Sequence, residues 1–195
     1  MSLITRGVRL LGGGARRVAR AVRHTPDRLL HRTRQRRMVS HLRSRPARTV
    51  LFMCLGNICR SPFAAAVLRE RSNGADLIID SAGFIGPDRA SPDTAQRAAR
   101  RRGIDLSAHR SRLVTPALVE SAELIVVMDR AQGRTLLERF DRRSGVLVLG
   151  DLDPDPIDTR TIRDPYSHGD EVFDHVYQRI ERCVETLFST MQHQR

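Results

Sequence analysis

The 195-residue sequence has no tryptophan, no lysine and only three cysteines. Three cysteines, few and odd in number, do not fit the disulfide framework of a secreted protein. They favour a reducing, cytoplasmic setting. No segment approaches the run of about 18 apolar residues that a transmembrane helix requires, so no membrane span is predicted. The residues that are present, 40% hydrophobic and 29% charged, are typical of a protein with a buried core.

Because lysine is absent, all 34 basic residues are arginines, and they are unevenly distributed. Residues 1–48 hold 14 arginines and one acidic residue, Asp27, whereas residues 49–195 hold 20 arginines and 21 acidic residues. The formal net charge of +12 therefore belongs to the N-terminal part of the chain. A nucleic-acid-binding domain would carry a basic patch on its folded body, so no specific nucleic acid partner is expected.

We predict two parts, an arginine-rich extension at residues 1–47 and a globular domain at residues 48–195. The extension is expected to be largely disordered or an amphipathic helix, because apolar residues recur at helical spacing at Ile4, Val8, Leu11, Ala15, Val18 and Val22. Pro26 is predicted to end this helix, and residues 31–48 to form a linker or tail. Such an arm could hold the protein at an anionic membrane or an acidic partner. Met38 is an alternative translation start.

From residue 49 onward, short apolar segments alternate with helical patterns. The predicted strands are TVLFMCL, ADLIIDSAG, ELIVVMD and GVLVLG, and a long helix with an apolar stripe is predicted for residues 169–191. Continuous apolar strands that alternate with helices form parallel sheets covered on both faces. We therefore predict an α/β domain with a four-stranded parallel sheet and helices on both faces.

The stretch VLFMCLGNICRSPF, residues 50–63, is the strongest candidate for a functional site. Cys54 ends the first predicted strand and Ser61 opens the next helix, at the edge of the sheet where ligands bind. The turn between them can direct successive backbone N–H groups inward and form an anion-binding nest. Gly56 and Asn57 suit the backbone angles of such a nest. The same field would stabilise a thiolate at Cys54 and make it a nucleophile.

Two side chains after the turn extend this chemistry. Arg60 could bind two phosphate oxygens at once, and Ser61 could donate a hydrogen bond to the sulfur of Cys54. Zinc binding is a poor explanation for Cys54 and Cys59, because no second pair of ligands accompanies them. No metal site and no cofactor are predicted.

The motif CLGNICRSP resembles the phosphate loop of the low-molecular-weight protein tyrosine phosphatases. The resemblance extends over about residues 48–191, through SAG at 81–83, VVMD at 126–129 and DPY at 164–166. It implies a flavodoxin-like fold and the hydrolysis of phosphotyrosine through a phosphocysteine intermediate. It also implies that Cys54 is the nucleophile, Arg60 the phosphate clamp and Asp164 the general acid that protonates the leaving phenolate.

Further roles follow from the same resemblance. It implies that the loop binds phosphate through Leu55, Gly56, Asn57, Ile58, Cys59 and Ser61. It implies that Ser61, Ser81 and His109 support Asn57 by hydrogen bonds. Phe84 and Tyr166 resemble the aromatic walls around the substrate ring, although the second tyrosine that usually follows Asp-Pro-Tyr is Ser167 here. Cys59 resembles a second loop cysteine that protects the first by a reversible disulfide.

Three alternatives remain open at this point. Protein arginine phosphatases resemble this loop but carry threonine where this chain has Ile58. Thioredoxin-coupled arsenate reductases need two further cysteines in mid-chain, and none lies between Cys59 and Cys183. The non-enzymatic alternative is a binding module tethered to a membrane or nucleic acid by the basic extension. For the phosphatase, the resemblance implies a phosphotyrosine-containing protein substrate, with a bacterial tyrosine kinase as one candidate.

Overall fold

The computed structural model describes residues 12–45, 47–73 and 76–192, with side chains from residue 27 onward. Its sheet has four strands, β1 (Thr49–Cys54), β2 (Ile78–Gly83), β3 (Leu124–Val127) and β4 (Val146–Val148). All strand pairs are parallel, and the order across the sheet is β2-β1-β3-β4. The structure thus confirms the predicted four-stranded parallel sheet.

Six α-helices and one short 3₁₀ helix, Leu149–Leu152, complete the described part of the chain. The α-helices are α1 (Gly12–Ser44), α2 (Arg60–Arg71), α3 (Asp93–Arg100), α4 (Pro116–Ser121), α5 (Arg130–Phe140) and α6 (Asp170–Gln192). None of these helices is long and apolar enough to span a bilayer.

The alternation of side chains along β1 divides the core into two parts. Val50, Phe52 and Cys54 face a large cluster that includes apolar residues of α2, α3 and α6. Leu51 and Met53 face a smaller cluster with apolar residues of α4 and α5. Both faces of the sheet are therefore covered by helices, as predicted from the continuous apolar strands.

The extension departs from the expected linker. Helix α1 continues through Pro26 to Ser44, whereas the sequence pattern ended the helix at that proline. An interior proline removes one hydrogen bond of the helix, and tertiary contacts of the following turns offset that loss. His31 and Leu42 are 3% and 2% exposed, so residues 27–44 pack against the body of the protein. The apolar positions Ile4, Val8 and Leu11 lie outside the described residues.

The strand order fixes where a ligand can bind. The connection that follows β1 leads to β2 on one side, whereas β3 lies on the other side of β1. Chain connections diverge at such a point and leave a crevice beyond the carboxyl ends of the strands. Cys54 is the last residue of β1 and lies at this crevice.

Candidate active site

Residues 55–59 form a tight loop between β1 and α2, and the polar groups of this loop and of the helix start converge on Cys54. The backbone N–H of Asn57 donates to Cys54 Sγ at 3.2 Å, and Ser61 Oγ lies 3.1 Å from the same sulfur. Two hydrogen-bond donors therefore point at the sulfur of Cys54.

Asn57 determines which way these hydrogen bonds run. Its Oδ1 accepts from the backbone N–H of Arg112 at 3.0 Å, so the opposite atom of the amide is the NH₂ group. That group donates to Ser61 Oγ and to Ser81 Oγ, both at 2.9 Å. Since Ser61 Oγ already accepts one hydrogen bond, its own proton is available for Cys54 Sγ.

The backbone of Asn57 is also unusual. Its φ is +51°, in the left-handed region that asparagine tolerates better than most residues. His109 Nε2 donates to the carbonyl oxygen of Asn57 at 2.7 Å, so both the side chain and the carbonyl are tied to other segments. Burial, the largest cause, lowers the pKa of His109 below 6.5, and nearby arginines lower it further. The structure therefore brings together all the residues predicted to support the loop.

Arg60, the first residue of α2, is 4% exposed and turned toward the segment that carries Asp164. One terminal nitrogen donates to the carbonyl of Ile162 at 3.1 Å, and the other donates to Asp164 Oδ2 at 2.5 Å. Asp164 Oδ1 in turn accepts the backbone N–H of Tyr166 at 3.2 Å. The predicted clamp and the predicted acid are thus in direct contact.

A cavity opens above the loop and includes most of the predicted substrate-binding residues. It is lined by Cys54, Leu55, Gly56, Ile58, Cys59, Arg60, Ile85, Arg89, Asp164 and Tyr166. Three of the apolar side chains are substantially exposed, Leu55 by 47%, Ile85 by 47% and Tyr166 by 54%. Asn57 and Ser61 are buried behind the cavity rather than on its surface.

Phe84 differs from its predicted role as an aromatic wall. It is 8% exposed and belongs to the smaller core cluster, where Arg139 lies over its ring. Phe84 and Ile85 lie in a bend that follows β2, and Ile85 rather than Phe84 lines the cavity. Tyr166 is therefore the only aromatic residue on the cavity surface within the described part of the chain.

Comparison with known proteins places this site in a family. The family model "Low molecular weight phosphotyrosine protein phosphatase" matches residues 49–195. The chain belongs to this family. This finding confirms the resemblance seen in the sequence motifs, and it covers the whole sheet and every residue that lines the cavity.

Individual members of the low molecular weight phosphatase family show the extent of the similarity. A probable low molecular weight protein-tyrosine-phosphatase, EpsP of Ralstonia nicotianae, is 36% identical over 71% of this chain and 92% of its own length. The human low molecular weight phosphotyrosine protein phosphatase is 33% identical over 72% of this chain and 93% of its own length.

Solved structures agree with the fold of the family. The tyrosine phosphatase Wzb from Escherichia coli K30, in complex with sulphate, has a TM-score of 0.66 at 30% identity and covers 73% of this chain and 97% of its own. The YwlE arginine phosphatase from Geobacillus stearothermophilus has a TM-score of 0.67 at 25% identity over 74% of this chain and 93% of its own. Fold similarity therefore does not distinguish between these two activities.

Behind the phosphatase loop, helix α6 supplies a contact that the sequence motifs did not predict. The Tyr177 hydroxyl donates to the carbonyl of Cys59 at 3.1 Å, and its ring stacks on Phe63 at 3.8 Å between centroids. Burial raises the pKa of the Cys59 thiol from 9.0 to about 12, with Cys54 and Asp164 adding to the effect. Cys59 is therefore a neutral thiol at physiological pH.

Arg89, like Ile85, lines the cavity but was not predicted from the sequence. Its guanidinium donates to the carbonyls of Gly56 and Gly86, at 3.0 and 3.1 Å, and so braces the loop from outside. Arginine is so frequent in this chain that a single one in the segment GPDRAS carried no signal. Tyr177 packs with the apolar residues of the last helix, so no local pattern in the sequence indicates the contact of its hydroxyl with the loop.

Proposed function

We propose that this protein hydrolyses phosphotyrosine in protein substrates, with Cys54 as the nucleophile. The observation that carries this proposal is the convergence of the Asn57 N–H and the Ser61 hydroxyl on Cys54 Sγ, at the floor of a cavity that Arg60 and Asp164 also line. These groups stabilise a thiolate next to an anion-binding loop, which is the arrangement that attack on a phosphate ester requires.

The reaction proceeds in two displacements. In the first, the thiolate of Cys54 attacks phosphorus, the bond from phosphorus to the tyrosine oxygen breaks, and the carboxylic acid of Asp164 gives its proton to the departing phenolate. In the second, the Asp164 carboxylate takes a proton from water as the water oxygen attacks phosphorus, and inorganic phosphate leaves with regeneration of the thiolate. Arg60 and the N–H groups of residues 55–59 balance the charge on the phosphoryl oxygens in both steps.

The contact between Arg60 and Asp164 gives the cycle an order of events. A phosphate dianion in the loop competes with Asp164 for the guanidinium of Arg60, because both offer oxygen pairs to the same donors. Binding of substrate would then release Asp164 from this ion pair and leave its carboxyl free to face the leaving oxygen.

The central test is turnover of an aryl phosphate such as p-nitrophenyl phosphate without added metal. Cys54→Ser should abolish it, and Asp164→Ala should lower kcat for phenyl phosphate, whose leaving group is more basic, by about 10²- to 10⁴-fold, the usual contribution of a general acid. Cys183→Ala is the matched control, since Cys183 is buried in the core and does not line the cavity. Full activity of the Cys54→Ser protein would contradict the proposal.

Phosphotyrosine and phosphoarginine peptides should be compared in the same assay, because arginine phosphatases share the fold. The aromatic Tyr166 and the aliphatic Leu55, Ile58 and Ile85 favour a flat apolar ring over a charged guanidino group. We therefore expect the phosphotyrosine peptide to be the better substrate. Faster hydrolysis of phosphoarginine would assign the protein to the second activity.

We also propose the setting in which the enzyme acts. A bacterial tyrosine kinase in the cytoplasm is a suitable substrate, and the arginine-rich residues 1–47 would hold the enzyme near an anionic membrane or an acidic partner. Such electrostatic binding should weaken steeply with salt. If binding to anionic vesicles is unchanged when residues 1–26 are deleted, these 26 residues have no such role. Trapping by the Asp164→Ala variant, followed by identification of the captured phosphoprotein, tests the substrate.

Cys54 and Cys59 would also have different roles when the site is oxidised. The Cys54 thiolate would react with peroxide to a sulfenic acid, and the neutral Cys59 thiol would then condense with it to a disulfide with loss of water. Peroxide-treated wild-type enzyme should therefore regain activity with dithiothreitol. A Cys59→Ser variant that recovers equally well would exclude this protection.

A further inference from the structure

Helix α1 lies outside the family match at residues 49–195, yet its second half is built into the molecule. His31 is 3% exposed and Leu42 is 2% exposed, and Met38 and Val39 pack against the larger core cluster. Polar contacts of Asp27, His31 and Gln35 reach one region, the segment between the 3₁₀ helix and Asp164.

Asp153 is the centre of these contacts. Its carbonyl oxygen accepts two hydrogen bonds from α1, from His31 Nε2 at 2.8 Å and from Gln35 Nε2 at 2.9 Å. A carbonyl oxygen can only accept, so the proton of a neutral His31 ring is on Nε2. Asp153 is fully buried, and this pair of donors fixes its backbone.

The side chain of Asp153 connects α1, through Arg179, to the backbone of residues 159–161. Its Oδ2 accepts from Arg179 Nε at 2.8 Å, and the two terminal nitrogens of Arg179 donate to the carbonyls of Thr159 and Thr161, at 2.7 and 3.0 Å. A continuous chain of hydrogen bonds thus runs from α1 to residues 159–161. Each link is shielded from solvent on at least one side, where hydrogen bonds are stronger than in water.

A second, independent contact reaches the same segment. Asp27 of α1 pairs with Arg34 at 2.8 Å, and its other oxygen accepts the backbone N–H of Arg160 at 3.4 Å. The next residues are those of the active site, since the carbonyl of Ile162 accepts from Arg60 and Asp164 follows two positions later.

The segment that carries Asp164 has no regular secondary structure that would hold it in place. Residues 153–169 contain no helix or strand, and irregular segments of this length are usually mobile unless other parts of the structure hold them. An acid that protonates a leaving group must be held within a fraction of an ångström of its working position.

We propose that His31 and Gln35 are positioning residues for Asp164. They hold the carbonyl of Asp153 and, through Arg179, the backbone of residues 159–161, so that the carboxyl of Asp164 stays aligned with the leaving oxygen. This inference rests on the proposed function, in which Asp164 is the general acid. The extension is then part of the catalytic apparatus and not only a tether.

The test compares two substrates that differ in their need for a proton. Phenyl phosphate has a more basic leaving group than p-nitrophenyl phosphate, so its cleavage depends more on the acid. In the full-length protein, His31→Ala and Gln35→Ala should each lower kcat/KM for phenyl phosphate by about 10-fold while changing the p-nitrophenyl value by less than about threefold. His31→Gln, whose amide can reach the same carbonyl, should restore most of the loss.

Two comparisons separate positioning from general destabilisation. Thr33→Ala, an exposed position on the same helix, should behave like wild type. In an Asp164→Asn background, His31→Ala should cause no further loss, because the group that it positions is already gone. An equal loss for both substrates, or a full further loss in the Asp164→Asn protein, would overturn the proposal.

One readout does not depend on the reaction. Amide hydrogen exchange at residues 159–162 should be faster in His31→Ala and Gln35→Ala than in wild type, with exchange in β1 unchanged. Unchanged exchange at residues 159–162 overturns the inference even if the enzyme is active. Conversely, if the wild type hydrolyses neither ester, the proposed function fails while faster exchange would still establish the structural link.

Discussion

At the scale of single residues, Asn57 connects more parts of the site than any other side chain described above. Its amide orients Ser61, binds Ser81 and receives the N–H of Arg112, while its carbonyl binds His109. Ser81 lies 24 positions from Asn57, and His109 and Arg112 lie 52 and 55 positions away, so two distant segments of the chain hold the loop in shape. Two substitutions separate the contribution of the side chain from that of the backbone.

We expect Asn57→Gly and Asn57→Ala to differ in stability. Both remove the buried hydrogen bonds, but only alanine is strained at the φ of +51°. Asn57→Ala should therefore be less stable than Asn57→Gly by about 1 kcal/mol, measured by urea unfolding. Both should lower kcat/KM, because Ser61 loses the partner that orients its proton. Equal stability of the two variants would mean that the backbone of the loop is not strained.

Because His109 is partly buried, we expect the stability of the protein to depend on pH. Its pKa is lowered in the folded protein because burial disfavours the imidazolium, whereas in the unfolded chain it returns to about 6.5. The unfolded state thus binds the proton first, so the contribution of His109 to stability is complete above pH 6.5 and declines as the pH falls below it. His109→Gln keeps a donor for the carbonyl of Asn57 but does not titrate.

The measurement is the free energy of unfolding of both proteins between pH 8 and pH 5. Wild type should lose stability relative to His109→Gln as the pH falls through 6.5. A constant difference across this range would show that His109 does not bury a neutral ring. Comparison with the variant removes the effect of other groups that titrate in the same range.

At the scale of elements, α6 supports the phosphate loop from behind. Tyr177 donates to the carbonyl of Cys59, the last residue before α2, and stacks on Phe63 in α2 itself. This contact joins the C-terminal helix to the start of the helix that carries Arg60. The relative position of α2 and α6 therefore influences where the guanidinium of Arg60 lies.

Tyr177→Phe should lower stability by about 1–2 kcal/mol, because it leaves the carbonyl of Cys59 buried without that partner while the ring stacking remains. For a protein of this size the expected decrease in Tm is about 2–8 °C, measured by thermal unfolding. Tyr166→Phe is the matched control, since Tyr166 is 54% exposed and should leave Tm unchanged. A Tm of Tyr177→Phe equal to that of wild type would show that this hydrogen bond contributes nothing.

The elements also show what could be predicted from the sequence and what could not. The four strands and the phosphate loop were predictable because apolar runs and the Cys54–Ser61 motif are local patterns. The continuation of helix α1 beyond Pro26 was not, because Pro26 is a strong local signal for a helix end, whereas the contacts of His31 that favour the helix come from residue 153. Phe84 was misplaced for a related reason, since only the direction of the backbone decides whether it or Ile85 faces the cavity.

At the scale of the whole molecule, anion binding should stabilise the fold. A ligand that binds only the native state raises the free energy of unfolding, by about 2.7 kcal/mol at 100 times its Kd. Inorganic phosphate should therefore raise Tm in proportion to the logarithm of its concentration. Arg60→Met should remove most of this increase, whereas Arg134→Met, on the exposed surface of α5, should retain it. An increase that survives in Arg60→Met would place the anion elsewhere.

The contact between His31 and Asp153 joins residues 122 positions apart in the chain. During synthesis on the ribosome, α1 emerges first and cannot acquire this partner until most of the domain has followed. The contact of α1 with this segment therefore forms only after residue 153 has been synthesised. A nascent chain therefore contains the residues of the phosphate loop long before it contains Asp153, the partner that His31 needs.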